Sequence, residues 1–112
     1  MFGFQQLDVY NCAIQFLSLA APLSSKPPRG YYGLRDQLRR ASLSISLNIA
    51  EGSGAGGPND AKRFYAIARG SALECAGILE AMRVLRFVAK EEIKTPMELL
   101  DRVVAMLTVM VR

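Results

Sequence analysis

The stretch YGLRDQLRRASLSISLNIAE, Tyr32–Glu51, decides the fold. Leu34, Leu38, Ala41, Ile45 and Ile49 recur in it at steps of three and four, the spacing that lines up side chains on one face of an α-helix. No proline interrupts the pattern, and Gly52-Ser53-Gly54-Ala55-Gly56-Gly57 follows, where glycine can end a helix by taking the left-handed cap conformation. Working outward, Pro58 suits a first helical turn, since its missing N–H has no partner there in any case. Behind it runs a longer stripe: Phe64, Ile67, Ala68, Ser71, Cys75, Ile78, Leu79, Met82 and Leu85. Two long amphipathic helices joined by a short glycine link are predicted.

Upstream, Tyr10, Ala13, Ile14, Leu17 and Ala21 mark a helix from about Gln6 to Ala21, stopped by Pro22, with a Ser- and Pro-rich loop over 23–30. Downstream, a charged connector spans Ala89 to Lys94. Thr95-Pro96-Met97-Glu98 then reads as a capping box, Thr95 as N-cap and Glu98 reaching back. Leu100, Val103, Val104, Leu107 and Val111 form the last stripe. No strand pattern or internal repeat is visible. The prediction is an all-α, antiparallel up-and-down four-helix bundle occupying 1–112 as one domain.

At 112 residues and 51% hydrophobic, the chain can bury a core without metal or disulfide staples. Its two cysteines, Cys12 and Cys75, are expected to be free thiols in a reducing compartment. The N-terminus lacks a basic start followed by an apolar run, and Asp101 and Arg102 break the longest apolar stretch near the C-terminus. A soluble, cytoplasmic protein with no membrane attachment is expected. Histidine is absent, which excludes Ser-His-Asp and Cys-His nucleophiles and His-ligated zinc. We expect no catalytic residue, no metal and no cofactor: the chain reads as non-enzymatic. The glycine link lacks the Gly-Lys-Ser/Thr ending and the preceding strand of a P-loop, so it reads as a flexible cap.

Faces that should be polar carry a second apolar stripe. Leu43, Leu47 and Ala50 fall opposite the Leu34–Ile45 stripe, and Ala66, Leu73, Gly77 and Val84 fall opposite the Phe64–Met82 stripe. Either these helices lie deep in an irregular bundle or their outer faces are buried against other copies. Four helices in a chain this short cannot cover two of their number on both sides, which favours self-association. Asn48 falls within the inner stripe and Glu51 in the last turn, where the helix dipole disfavours an anion. Backbone of a neighbouring loop for Asn48 and an arginine for Glu51 are the expected partners.

The net charge is +4 and the sequence pI about 9.4. Lys26, Arg29, Arg35, Arg39, Arg40, Lys62, Arg63 and Arg69 face only Asp36, Glu51 and Asp60 within Lys26–Arg69. Arg35 and Arg39 are one helical turn apart, with Arg40 adjacent. Lys62 and Arg69 share a face two turns apart, with Arg63 beside Lys62. Such rows can follow a phosphate backbone without reading sequence, which makes nucleic acid a partner, RNA ahead of DNA. A solvated basic surface tied up in salt bridges, Asp36 with Arg40 for example, is the competing reading.

Two motifs carry a family resemblance. YGLRDQLRRAS (32–42), continuing through Ser44-Ile45 to Asn48-Ile49-Ala50-Glu51-Gly52, is one; RFYAIARGSALE (63–74) is the other. With the opening Phe4-Gln5-Gln6-Leu7-Asp8-Val9, they resemble the four-helix-bundle proteins encoded by intervening sequences in bacterial 23S ribosomal RNA genes. The accessory proteins of diversity-generating retroelements are similar. The resemblance covers essentially the whole chain. It implies a ring-shaped homopentamer with a basic surface for nucleic acid and, as in the retroelement members, partnership with a reverse transcriptase. Members commonly carry a basic residue soon after Ala-Glu-Gly, whereas Ser53-Gly54-Ala55-Gly56-Gly57 is neutral here, so this loop is assigned no phosphate contact.

Overall fold

A computed structural model describes residues 2–112. Its helices are α1 (Asp8–Leu23), α2 (Tyr32–Ser53), α3 (Pro58–Val84) and α4 (Lys94–Met110), with 3-10 turns at Gly3–Gln6 and Lys90–Ile93. No strand occurs among the described residues. The 27 residues of α3 rise about 40 Å at 1.5 Å each, which accounts for the long axis of the 44 × 27 × 23 Å molecule.

Side-chain pairs give the helix directions. Ser44 of α2 meets Ser71 of α3 at 2.9 Å, while Gly52, further along α2, meets Tyr65, earlier on α3. Arg69 of α3 reaches Thr108 near the end of α4, and Ala76 lies by Met97 and Leu100 near its start. Leu7 and Val9, flanking the start of α1, lie by Met106 and Met110 at the end of α4. Each of these pairs runs antiparallel. α1 packs on α2 and α4, and α3 packs on the same two, so the helices follow one another around the bundle.

The core is built from Phe16, Leu38, Ile45, Ile49, Leu79, Met82, Val103 and Leu107, all fully buried, with small Ala13, Ala20, Ala68 and Ala72 allowing close approach. On α2 and α4 the buried side chains follow the predicted stripes. On α1 they do not. Val9, Cys12, Ala13, Phe16, Ala20 and Leu23 face inward, leaving Ile14 and Ala21 outside and Tyr10 and Leu17 half-buried. Asp8, Asn11, Gln15 and Ser18 recur at steps of three and four on the exposed side, and the buried face is the one opposite that polar stripe, about a third of a turn from the expected one. Likewise Ile67 of α3 and Leu85, just past its end, are exposed, and Ala72 takes the core position between Ala68 and Cys75.

Helix ends also differ from expectation. Pro22 lies within the last turn of α1, which continues to Leu23. The hydrogen bond it removes is one that exposed Ser18 would have accepted, which makes the loss tolerable. The Thr95–Glu98 box does not form. The Lys90–Ile93 turn runs straight into α4, leaving no extended residue at Thr95 to cap it. The reciprocal bond sits earlier, where the Ala89 N–H donates to Glu92 Oε1 at 2.8 Å. That bond and Lys26, 3.3 Å away, hold the Glu92 carboxyl below the usual carboxylate range.

The end of α3 closes in a Schellman pattern. The Phe87 N–H donates to Met82 O at 2.8 Å and the Arg86 N–H to Arg83 O at 3.0 Å. Arg86 takes φ 65°, a left-handed conformation that costs a residue with Cβ about 1 kcal/mol relative to glycine. Arg86→Gly should therefore stabilise the protein by about 1 kcal/mol, raising Tm by several degrees. An unchanged or lower Tm would show that Arg86 is not strained.

Candidate functional site

The outer faces of α2 and α3 carry large apolar side chains that are about half exposed or more. Leu43, Leu47 and Leu73 are 46%, 54% and 47% exposed, and Val84 is 66% exposed. Ala66 and Gly77 are exposed beside them and Ala50 is half-buried. Nothing lies within 4 Å of where a Cβ would stand on Gly70 or Gly77, so these glycines are small on an open surface and not because a neighbour crowds them. The same helices are fully packed inward, through Ile45 and Ile49 on α2 and Ala68, Cys75 and Leu79 on α3.

Between those faces runs a polar seam that periodicity missed. Ser44 Oγ and Ser71 Oγ are 2.9 Å apart, and Asn48 Nδ2 donates to Ser44 O at 2.9 Å and to Ser44 Oγ at 3.0 Å. Asn48 thus finds its partners one turn back on its own helix instead of in a loop. Glu51 is exposed and makes no ion pair among the described residues. Gly52 is buried under Tyr65, whose Cε1 would lie 2.5 Å from any Cβ added there. That close approach explains a glycine inside the last turn of α2. Cys12 and Cys75 are free and buried, and burial, then the charge of Glu74, pushes the Cys75 thiol up to about 12. Such a thiol is a poor nucleophile at neutral pH.

The basic side chains occupy three separate places. Arg35 Nε donates to Pro27 O at 2.6 Å with its guanidinium 5.2 Å from the centre of the Tyr32 ring, and Arg39 Nε donates to buried Ser24 Oγ at 3.0 Å. Both fasten the 24–31 link onto α2. Arg40 pairs with Asp36 at 3.3 Å on the surface, as the salt-bridge reading expects. On α3, Arg69 Nε donates to Thr108 Oγ1 at 2.8 Å, tying that helix to α4. Lys62 and Arg63 stand at the opposite end of the bundle from Arg35, Arg63 stacked 4.6 Å over Phe64. The fold brings Arg35 and Arg39 together in one shallow depression with Tyr32 and Asp36, and keeps Lys62, Arg63 and Arg69 away from it. Among the described residues no group of three or more Cys, Asp or Glu could hold a metal ion. No helix among them is long and apolar enough to cross a membrane.

The architecture and its open flank define a small all-α bundle with two helices apolar on both faces. More particularly, the model of the 23S rRNA-intervening sequence protein family matches residues 5–109, and the chain belongs to that family. No curated protein matches it.

Proposed function

We propose that the protein is a non-catalytic, self-assembling bundle that binds nucleic acid through the phosphate backbone, RNA ahead of DNA. The observation that carries this reading is the exposed apolar flank of α2 and α3. Leu43, Leu47 and Leu73 are about half exposed on helices already packed inward, and large apolar side chains left open in this way mark a contact surface. Assembly as a homopentamer is what the family resemblance implies. Nucleic-acid binding is supported by the +4 net charge, since repeated basic protomers attract polyanions and multiply weak contacts.

A salt titration tests the binding function. Log affinity for an RNA oligonucleotide should fall against log salt with a slope of roughly −0.7 per phosphate contact, alike for unrelated sequences. Retention of neither RNA nor DNA in low salt would rule it out. The anchoring of Arg35, Arg39 and Arg69 within the protomer favours a second reading, an accessory scaffold that docks a protein such as a reverse transcriptase without binding nucleic acid itself. Under that reading, replacing Arg39 and Arg69 with Gln lowers stability and leaves RNA affinity unchanged.

A further inference from the structure

The antiparallel order places the 24–31 and 85–93 links at the same end of the bundle. They touch there: the Tyr31 and Phe87 rings meet edge-on at 4.8 Å, and Lys26 pairs with Glu92 at 3.3 Å. Lys26, Arg29, Arg83, Arg86, Lys90 and Lys94 gather at this end against Glu80, Glu91 and Glu92, six cations to three carboxylates, a net +3 of the chain's +4. At the far end Lys62, Arg63 and Arg112 are balanced by Asp8, Glu51 and Asp60. The molecule is thus charged along its 44 Å axis, positive at the two-link end and neutral at the other.

The cations there are also available. Lys26 and Arg83 are paired, with Glu92 and Glu80, but Arg29, Arg86, Lys90 and Lys94 are exposed and make no ion pair among the described residues. Arg83, Lys90 and Lys94 line an open cleft of about 800 Å³ between the end of α3 and the start of α4, together with Glu80, Glu91, Ile93 and Met97. Tyr32, 60% exposed at the same end, offers an aromatic ring with the Arg35 guanidinium over it, 5.2 Å from the ring centre.

We propose that the two-link end is the nucleic-acid surface, and that its ligand is single-stranded RNA, held by phosphate contacts from Arg29, Lys90 and Lys94 with Tyr32 as a stacking platform. The inference rests on the binding function proposed above and relocates it away from the rows along α2 and α3. Clustered unpaired cations concentrate a polyanion where scattered or internally bonded ones do not. A single strand can turn its bases onto an exposed ring, as a stacked duplex cannot.

The test is fluorescence anisotropy of a labelled oligouridylate with the full chain. Replacing Arg29, Lys90 and Lys94 together with Gln should flatten the slope of log affinity against log salt by about 2 and weaken low-salt binding by about a hundredfold. Replacing Lys62 and Arg63 with Gln should change neither, with the circular dichroism of both variants matching the parent. Tyr32→Ala should weaken binding while leaving the salt slope in place. A triple variant that binds like the parent, or a loss confined to the Lys62 and Arg63 variant, overturns the assignment while leaving RNA binding intact. A parent that ignores oligouridylate but binds polyglutamate through the same three residues also overturns it, in favour of an acidic protein partner. A parent that binds neither defeats the binding function itself.

Discussion

Replacing Leu43 and Leu47 together with Glu should reduce the protein to its 12.3 kDa protomer while its helical circular dichroism persists. Both leucines lie outside the core, 46% and 54% exposed, so the substitutions remove little internal packing. In an assembly they would be desolvated, and burying a leucine is worth roughly 1.5–3 kcal/mol. About half of each side chain is newly buried, so losing two of them weakens association by roughly 10- to 100-fold, at 1.4 kcal/mol per factor of ten. Carboxylates left in a dry contact raise the cost further. Light scattering at micromolar concentration reads the result. A variant that keeps the parent's mass would move the contact to another face, and a variant that unfolds would place these leucines in the core.

Phe16→Ala should be the most damaging single core substitution, at about 3–5 kcal/mol, whereas Ile14→Ala should cost less than about 1 kcal/mol. Phe16 is fully buried and among the largest side chains in the core, while Ile14, two residues earlier, is 38% exposed. Since marginal stabilities of about 5–15 kcal/mol are usual, the Phe16 variant stands to lose a large fraction of its folding free energy. Urea unfolding of the two variants side by side measures the difference. Equal losses would mean that α1 turns a different face inward.

The contrast between those residues shows where periodicity suffices. On α2 the inner stripe stands out because Arg35, Asp36, Gln37, Arg39 and Arg40 occupy the intervening positions, so Leu38, Ile45 and Ile49 can face only one way. The outer leucines were legible for the same reason, as apolar residues where charge was expected. On α1 the signal lay in the polar residues: Asp8, Asn11, Gln15 and Ser18 mark the outer face, and the face opposite them, through Val9, Cys12, Phe16 and Leu23, is the buried one. Ser44 and Ser71 pair across 27 residues of sequence, and no local pattern announces that contact. The arginine rows were legible as helical spacing, but not that Arg39 and Arg69 each give their Nε to Ser24 and Thr108, hydroxyls on other elements whose proximity depends on the fold. The gathering of Lys26, Arg29, Lys90 and Lys94 was hidden in turn, because residues more than sixty apart meet only after the bundle closes.

The unmodified protein sedimented with a labelled RNA oligonucleotide tests the central claim most directly, since one trace reports both mass and binding. In low salt the RNA should travel with a species several times the 12.3 kDa protomer. In high salt the RNA should be released while the species keeps its mass, because assembly rests on apolar contact and binding on charge. A protein that sediments as the protomer at micromolar concentration, with the RNA running free at every salt, would contradict the account.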